Sequence, residues 1–156
     1  MGAGFIAIQG RLGKLRKRYI NKNWKKILET CVFSFLTATV FFTVAANASN
    51  CQDKPRFSSR EFYEGPCPDG QYSPIASLLF NTEGGTIRTI MNNELRTSYQ
   101  EITGFIAIWY FFLCTTYGCW VPSGLFLPGI IIGCAIGQFW FQVYFLAFPG
   151  SDPRAD

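Results

Sequence analysis

The chain has 156 residues, of which 49% are hydrophobic and 17% aromatic, while only 15% are charged. A soluble domain usually carries about 25% charged residues, so this composition favours a membrane class. With no His in the chain, His-based triads, His acid–base chemistry and most zinc sites are excluded.

Residues 1–26 combine the tail of a helix with a basic segment. The short apolar start, MGAGFIAIQG, has no convincing signal-peptide cleavage site. Arg11, Lys14, Arg16, Lys17, Arg18, Lys22, Lys25 and Lys26 then crowd into sixteen residues with no acidic residue among them. An apolar block follows at once, so the positive-inside rule accounts for the run better than nucleic-acid binding does. The run is expected on the cytosolic side.

Residues 27–48, ILETCVFSFLTATVFFTVAANA, form the first apolar block. It is long enough for a spanning helix, which needs about 20 apolar residues. Glu29, one turn from its start, is expected to reach the polar boundary rather than relay protons.

Residues 49–101 are polar and form a loop on the luminal or outer side, with a short helix in it. CPDGQYSP is turn chemistry. SPIASLLFNT follows as a short amphipathic helix with Ser73 or Asp69 near its cap, and EGGT as a break. Cys51 and Cys67 flank part of this loop in a compartment that permits disulfides. Either they are bridged, which would contribute roughly 3 kcal/mol for a loop of about fifteen residues, or they are two free thiols. Asn47-Ala48-Ser49 matches the glycosylation pattern, but lies so close to the helix end that it is expected to be unmodified.

Residues 102–148 hold an aromatic helix, Ile102 to Tyr117, and a third apolar block, Gly124 to Phe148. The stretch VPSGLFLPGIIIGCAIGQFW joins them. Ser123 and Gly124 can turn the backbone, and Pro128 is tolerated only in a first helical turn. A helix starting near Leu125 therefore accounts for all three residues. Its first amides have no intrahelical partner, and unpaired N–H groups in lipid cost several kcal/mol each. An anion would satisfy them, drawn also by the positive end of the helix dipole. An ordinary spanning helix capped at the interface by Pro122 and Ser123 is the alternative. Gly129, Gly133 and Gly137 recur every four residues, a stripe that suits close approach of another helix.

At these residues the sequence resembles the CLC family of chloride channels and chloride/proton exchangers. TTYGCWVPSGLFLPGIIIGCAIGQ is similar to the family signature in which a GxFxP turn opens a helix. LRKRYINKNWKKILETCVFSFLTATVFF, CPDGQYSPIASLLFNT and YFFLCTTYG resemble the lysosomal/endosomal eukaryotic branch, in the same order. The resemblance implies an all-α, polytopic membrane fragment with broken or re-entrant helices, corresponding to the middle of the family's membrane domain. It implies a chloride site at Gly124, Leu125, Phe126 and Pro128, with amides of Leu125 and Phe126 as donors and the Phe126 ring lining the pathway. Gln138 stands where a basic residue is common in the family. Chloride is then the transported ligand, with no cofactor.

The implied partners are the lipid bilayer, the remaining segments of the transporter and a second copy in a homodimer, with no nucleic acid. The implied location is an endosomal, lysosomal or vacuolar membrane. The family's Ser turn and its GxEGP turn are not in this sequence, so the chain alone is expected not to transport chloride. The alternative function is a truncated, non-transporting membrane fragment with a structural or regulatory role. An enzyme is disfavoured, since neither GxSxG nor GxxxxGK[ST] occurs.

Overall fold

The computed structural model describes residues 2–48, 50–53, 67–92, 97–122 and 124–148. Ser49 of the glycosylation pattern, the loop basics Lys54, Arg56 and Arg60, Ser123 and the closing residues 149–156 lie outside the described residues. The fold is all-α apart from one short ribbon. In chain order it contains α1 (Gly2–Tyr19), α2 (Asn23–Ala46), β1 (Gln52–Asp53), β2 (Gln71–Tyr72), α3 (Pro74–Phe80), α4 (Glu83–Met91), α5 (Tyr99–Thr116) and α6 (Phe126–Ala147).

Two of the described helices, α2 and α6, are long and apolar enough to cross a bilayer. At 1.5 Å per residue, the 24 residues of α2 rise about 36 Å and the 22 of α6 about 33 Å. Each exceeds a hydrocarbon core of about 30 Å. Among the described side chains of α2 only Ala45 is buried, while Val32, Phe35 and Phe42 are exposed. An apolar helix that keeps its large side chains outside is suited to lipid. It starts four residues before the apolar block, so Lys25 and Lys26 belong to its first turn. Tyr19 and Trp24 are exposed beside that start, at the position where aromatic residues anchor helices to the interface. The chain is an integral membrane polypeptide.

The core gathers around α3. Tyr72, Ile75, Leu78 and Leu79 meet Ile90 of α4, Ile102 and Phe105 of α5, and Ile131 and Ala135 of α6. Phe41 and Val44 of α2 pack on the same cluster. Ser73 is the N-cap of α3, its hydroxyl accepting from the Ala76 N–H at 3.4 Å, and Pro74 occupies the first turn. Six of the seven α3 residues are buried, so α3 is not amphipathic. It is the buried strut that the longer helices surround.

The expected break at EGGT is not there. Thr82 caps α4 by accepting from the Gly85 N–H at 3.2 Å, and Glu83, Gly84, Gly85 and Thr86 form its first turn. Once a side chain caps that turn, its two glycines do not prevent helix formation. Thr86 then donates to the Leu78 carbonyl at 3.2 Å, fastening α4 to α3.

The loop is tied near its ends. Gln52 pairs with Tyr72 and Asp53 with Gln71 in an antiparallel ribbon. Gly70, at φ +90°, closes the turn in which the Gln71 N–H donates to the Pro68 carbonyl at 3.0 Å. Cys51 and Cys67 are joined as a disulfide. The aromatic helix α5 gains three residues beyond its apolar block, because Glu101 accepts from the Ser98 N–H at 2.8 Å and fixes the start.

Candidate anion-binding turn

The chemistry singled out in the sequence lies in the connection from α5 to α6. Helix α5 ends at Thr116, and Gly118 at φ +86° redirects the chain. That backbone conformation favours glycine. Helix α6 begins at Phe126, with Leu125 as N-cap at φ −98° and ψ −14°. Its first intrahelical bond is Gly129 N–H to the Leu125 carbonyl, at 3.1 Å.

The amides of Leu125, Phe126 and Leu127 therefore precede the helical ladder and have no intrahelical acceptor. Pro128 has no N–H to leave unpaired. No described side chain caps this start, and the first turn carries no acidic residue. Within α6 itself no acidic side chain offsets the positive end of the dipole.

Beside this start lies a cavity of about 450 Å³ lined by Gly124, Phe126, Leu127 and Pro128 from the turn and by Leu113, Thr116 and Tyr117 from the end of α5. Glu83, from the first turn of α4, completes the wall. Phe126 is 78% exposed.

The structure thus brings Gly124, Phe126 and Pro128 to one cavity and places Leu125 at the cap. Leu127 joins them as an amide the sequence reading missed, although it follows once the helix is known to start at Phe126. Thr116, Tyr117 and Glu83 were also missed, and no local motif marks them.

Gly129, Gly133 and Gly137 do not line this cavity. A Cβ added at any of them would meet nothing within 4 Å, so the stripe borders open space. The buried residues of α6 are Ile131, Ile132, Ala135 and Gln138 instead.

A polar cluster lies behind the turn. Arg16 is the one buried member of the basic run. It is 8% exposed, and its Nε donates to Oε1 of Glu29 at 2.6 Å. Glu29, on α2, keeps 10% side-chain exposure and pairs with Arg16 of α1. A buried carboxylate is retained only when paired, and Arg16 supplies the pairing. Cys119, in the connection outside both helices, has its thiol pushed above the usual range by burial first and by the charge of Glu29, against the opposing pull of Arg16.

The chain is thus an all-α membrane polypeptide whose second apolar span starts at a GLFLP turn. The profile of the family described as "Voltage gated chloride channel" matches residues 1–155, and the chain belongs to that family. It is 32% identical over 142 residues to "H(+)/Cl(-) exchange transporter 7" of Homo sapiens, covering 90% of this chain and 18% of that protein. It is 27% identical to "Chloride channel protein C" of Dictyostelium discoideum, over 97% of this chain and 22% of that one. To "Putative chloride channel-like protein CLC-g" of Arabidopsis thaliana it is 32% identical, over 73% of this chain and 16% of that one. The chain thus spans less than a quarter of the length of these relatives.

Proposed function

We propose that this chain is the part of a chloride channel or chloride/proton exchanger that presents the backbone amides of Phe126 and Leu127 to the transported anion. The observation that carries this reading is the bare start of α6. The N-cap side chain makes no bond to the first amides of α6, Phe126 and Leu127 line a cavity, and α6 is one of the two apolar spans among the described helices. Amides suit transport because they replace part of the hydration shell of an ion without a fixed charge to retain it. The work proposed is transport rather than catalysis, with chloride as ligand and no cofactor.

The wider assignment follows from the same reading. The basic start of α2 lies on the cytosolic side, as Lys/Arg asymmetry requires. The disulfide-bearing loop then faces the lumen of an endosome, lysosome or vacuole, or the outside. The transporter works as a homodimer in which this chain's segments surround the pathway together with the family's other turns.

The test separates ring from backbone. Incorporating phenyllactic acid at position 126 replaces the Phe126 N–H by an ester oxygen and keeps the ring, whereas Phe126→Ala removes the ring and keeps the N–H. A hydrogen bond to a charged group is worth about 1.5–3 kcal/mol, so the ester should weaken apparent chloride affinity by roughly tenfold or more. Phe126→Ala should change it only a few-fold. Chloride flux into proteoliposomes of the intact protein, titrated with chloride, measures both. An ester variant with unchanged affinity would show that the amide is not a ligand.

A further inference from the structure

Seven of the eight basic residues between Arg11 and Lys26 are exposed or only partly covered, and one, Arg16, is buried. Its guanidinium makes contacts beyond the Glu29 pair. Nη1 donates to the Tyr117 carbonyl at 2.9 Å, and Nη2 donates to the Thr115 carbonyl and contacts Sγ of Cys119 at 3.3 Å. These carbonyls stand where α5 ends, where a helix leaves acceptors without intrahelical donors and where its dipole favours a cation.

Gln9, two turns earlier on α1, does the same for the neighbouring acceptor, its Nε2 donating to the Cys114 carbonyl. A Cβ at Gly118 would lie 3.3 Å from Arg16 Nη1 and 3.4 Å from Gln9 Oε1. Glycine therefore lets these two side chains close on the backbone at the point where it turns towards α6.

Arg16 is not among the residues lining the cavity, but Tyr117, whose carbonyl it holds, is. Thr116 and Tyr117 line the same cavity as Phe126 and Leu127. From Tyr117 the chain runs directly to the GLFLP turn, and Lys26 adds a second tie through its Nζ, 3.7 Å from the centre of the Trp120 ring.

We infer that Arg16, held by Glu29 and assisted by Gln9, is a positioning residue for the anion turn: it fixes the exit of α5 so that the amides of α6 and the wall opposite them keep their spacing. Glu29 orients the fork through Nε and compensates its buried charge, which leaves both terminal nitrogens free to hold the α5 carbonyls. The sole direct actors on the anion remain the amides. This inference rests on the anion reading of the turn.

The experiment uses the intact protein in proteoliposomes and reads two quantities, the chloride concentration that gives half-maximal flux and the chloride-to-nitrate preference. Removing Arg16 alone would strand the Glu29 charge, so the main variant is Arg16→Met with Glu29→Leu, which removes both charges together. A lapse in positioning of the order of 1 Å is costly, and the half-saturating chloride concentration should rise about tenfold, with a changed nitrate preference. Arg16→Lys, which keeps the charge but not the fork, should rise a few-fold. Gln9→Met, a milder change that leaves the ion pair in place, should also rise a few-fold.

If the double variant does not yield a monodisperse protein, Arg16→Lys and Gln9→Met carry the test. Folded variants with normal half-saturation and normal nitrate preference would overturn the proposal, even if their yield or thermal stability fell. The ester at Phe126 is measured alongside. A shifted ester with unshifted Arg16 and Gln9 variants removes the positioning role alone, whereas an unshifted ester removes the anion reading and this inference with it.

Discussion

Helices α3 and α6 both begin after a turn and both carry Pro in the first turn, yet they treat their first amides in opposite ways. At α3 the Ser73 hydroxyl accepts from the Ala76 N–H, and the helix start is buried among its neighbours. At α6 the N-cap is Leu125, whose side chain can accept nothing, and the start faces a cavity. Helix α2 also lacks a side-chain cap, but exposed Lys22, Asn23 and Lys25 surround its start, where water can serve the amides. The difference teaches that a missing cap acquires meaning from its surroundings. It is ordinary at a solvated end and informative in an apolar span, where nothing in lipid can replace it.

The comparison breaks most directly if α6 is given a cap of its own. Leu125→Asp places a carboxylate where it can accept from the Leu127 N–H and repel an anion. Chloride affinity should fall by about a hundredfold, the equivalent of roughly 3 kcal/mol. Leu125→Asn, a neutral cap, should fall less. Chloride-dependent flux in proteoliposomes checks both, and equal affinities across the three proteins would mean that the α6 amides are already satisfied elsewhere.

Removing the cap of α3 should have the reverse profile. Ser73→Ala leaves the Ala76 amide without its acceptor and should cost about 1–2 kcal/mol of stability, read as a lowered thermal midpoint in detergent. Chloride affinity should stay within twofold, because Ser73 is remote from the cavity wall. A loss of affinity without a loss of stability would reverse the assignment of the two helix starts.

The smallest effect is expected from the glycine stripe. Within this chain a methyl group at Gly133 has free space, and Gly→Ala in a helix interior stabilises by about 0.5–1 kcal/mol. Gly133→Ala should therefore raise the thermal midpoint slightly. A marked drop in the intact protein would show that another helix lies against the stripe, beyond the segments seen here.

The sequence by itself determined the features that depend on local chemistry. The 22-residue apolar block from Ile27 and the Gly-rich block after Pro128 could only be long helices. Pro128 could sit only in a first turn, so the start of α6 was legible to within a residue. Asp69-Gly70 announced its turn, while the sequence left the cap of the next helix between Ser73 and Asp69, and the structure gives it to Ser73. The basic run announced a polar boundary, because no other feature tells eight cations to avoid the block that follows.

Tertiary structure alone decided which of those cations would be buried. Along the chain Arg16 is indistinguishable from Lys17 and Arg18. Only the packing of α1 against the end of α5 places two carbonyls, a thiol and the Glu29 carboxylate around it. Glu29 looked like a boundary residue for the same reason, since its partner lies on another helix. EGGT looked like a break because glycine propensity is local, whereas the Thr82 cap and the Thr86 bond to Leu78 depend on how α4 meets α3. The cavity wall was likewise beyond the sequence: Glu83 comes from α4 and Thr116 and Tyr117 from the end of α5, and residues far apart in a chain share a wall only when packing over the buried core brings their helices together.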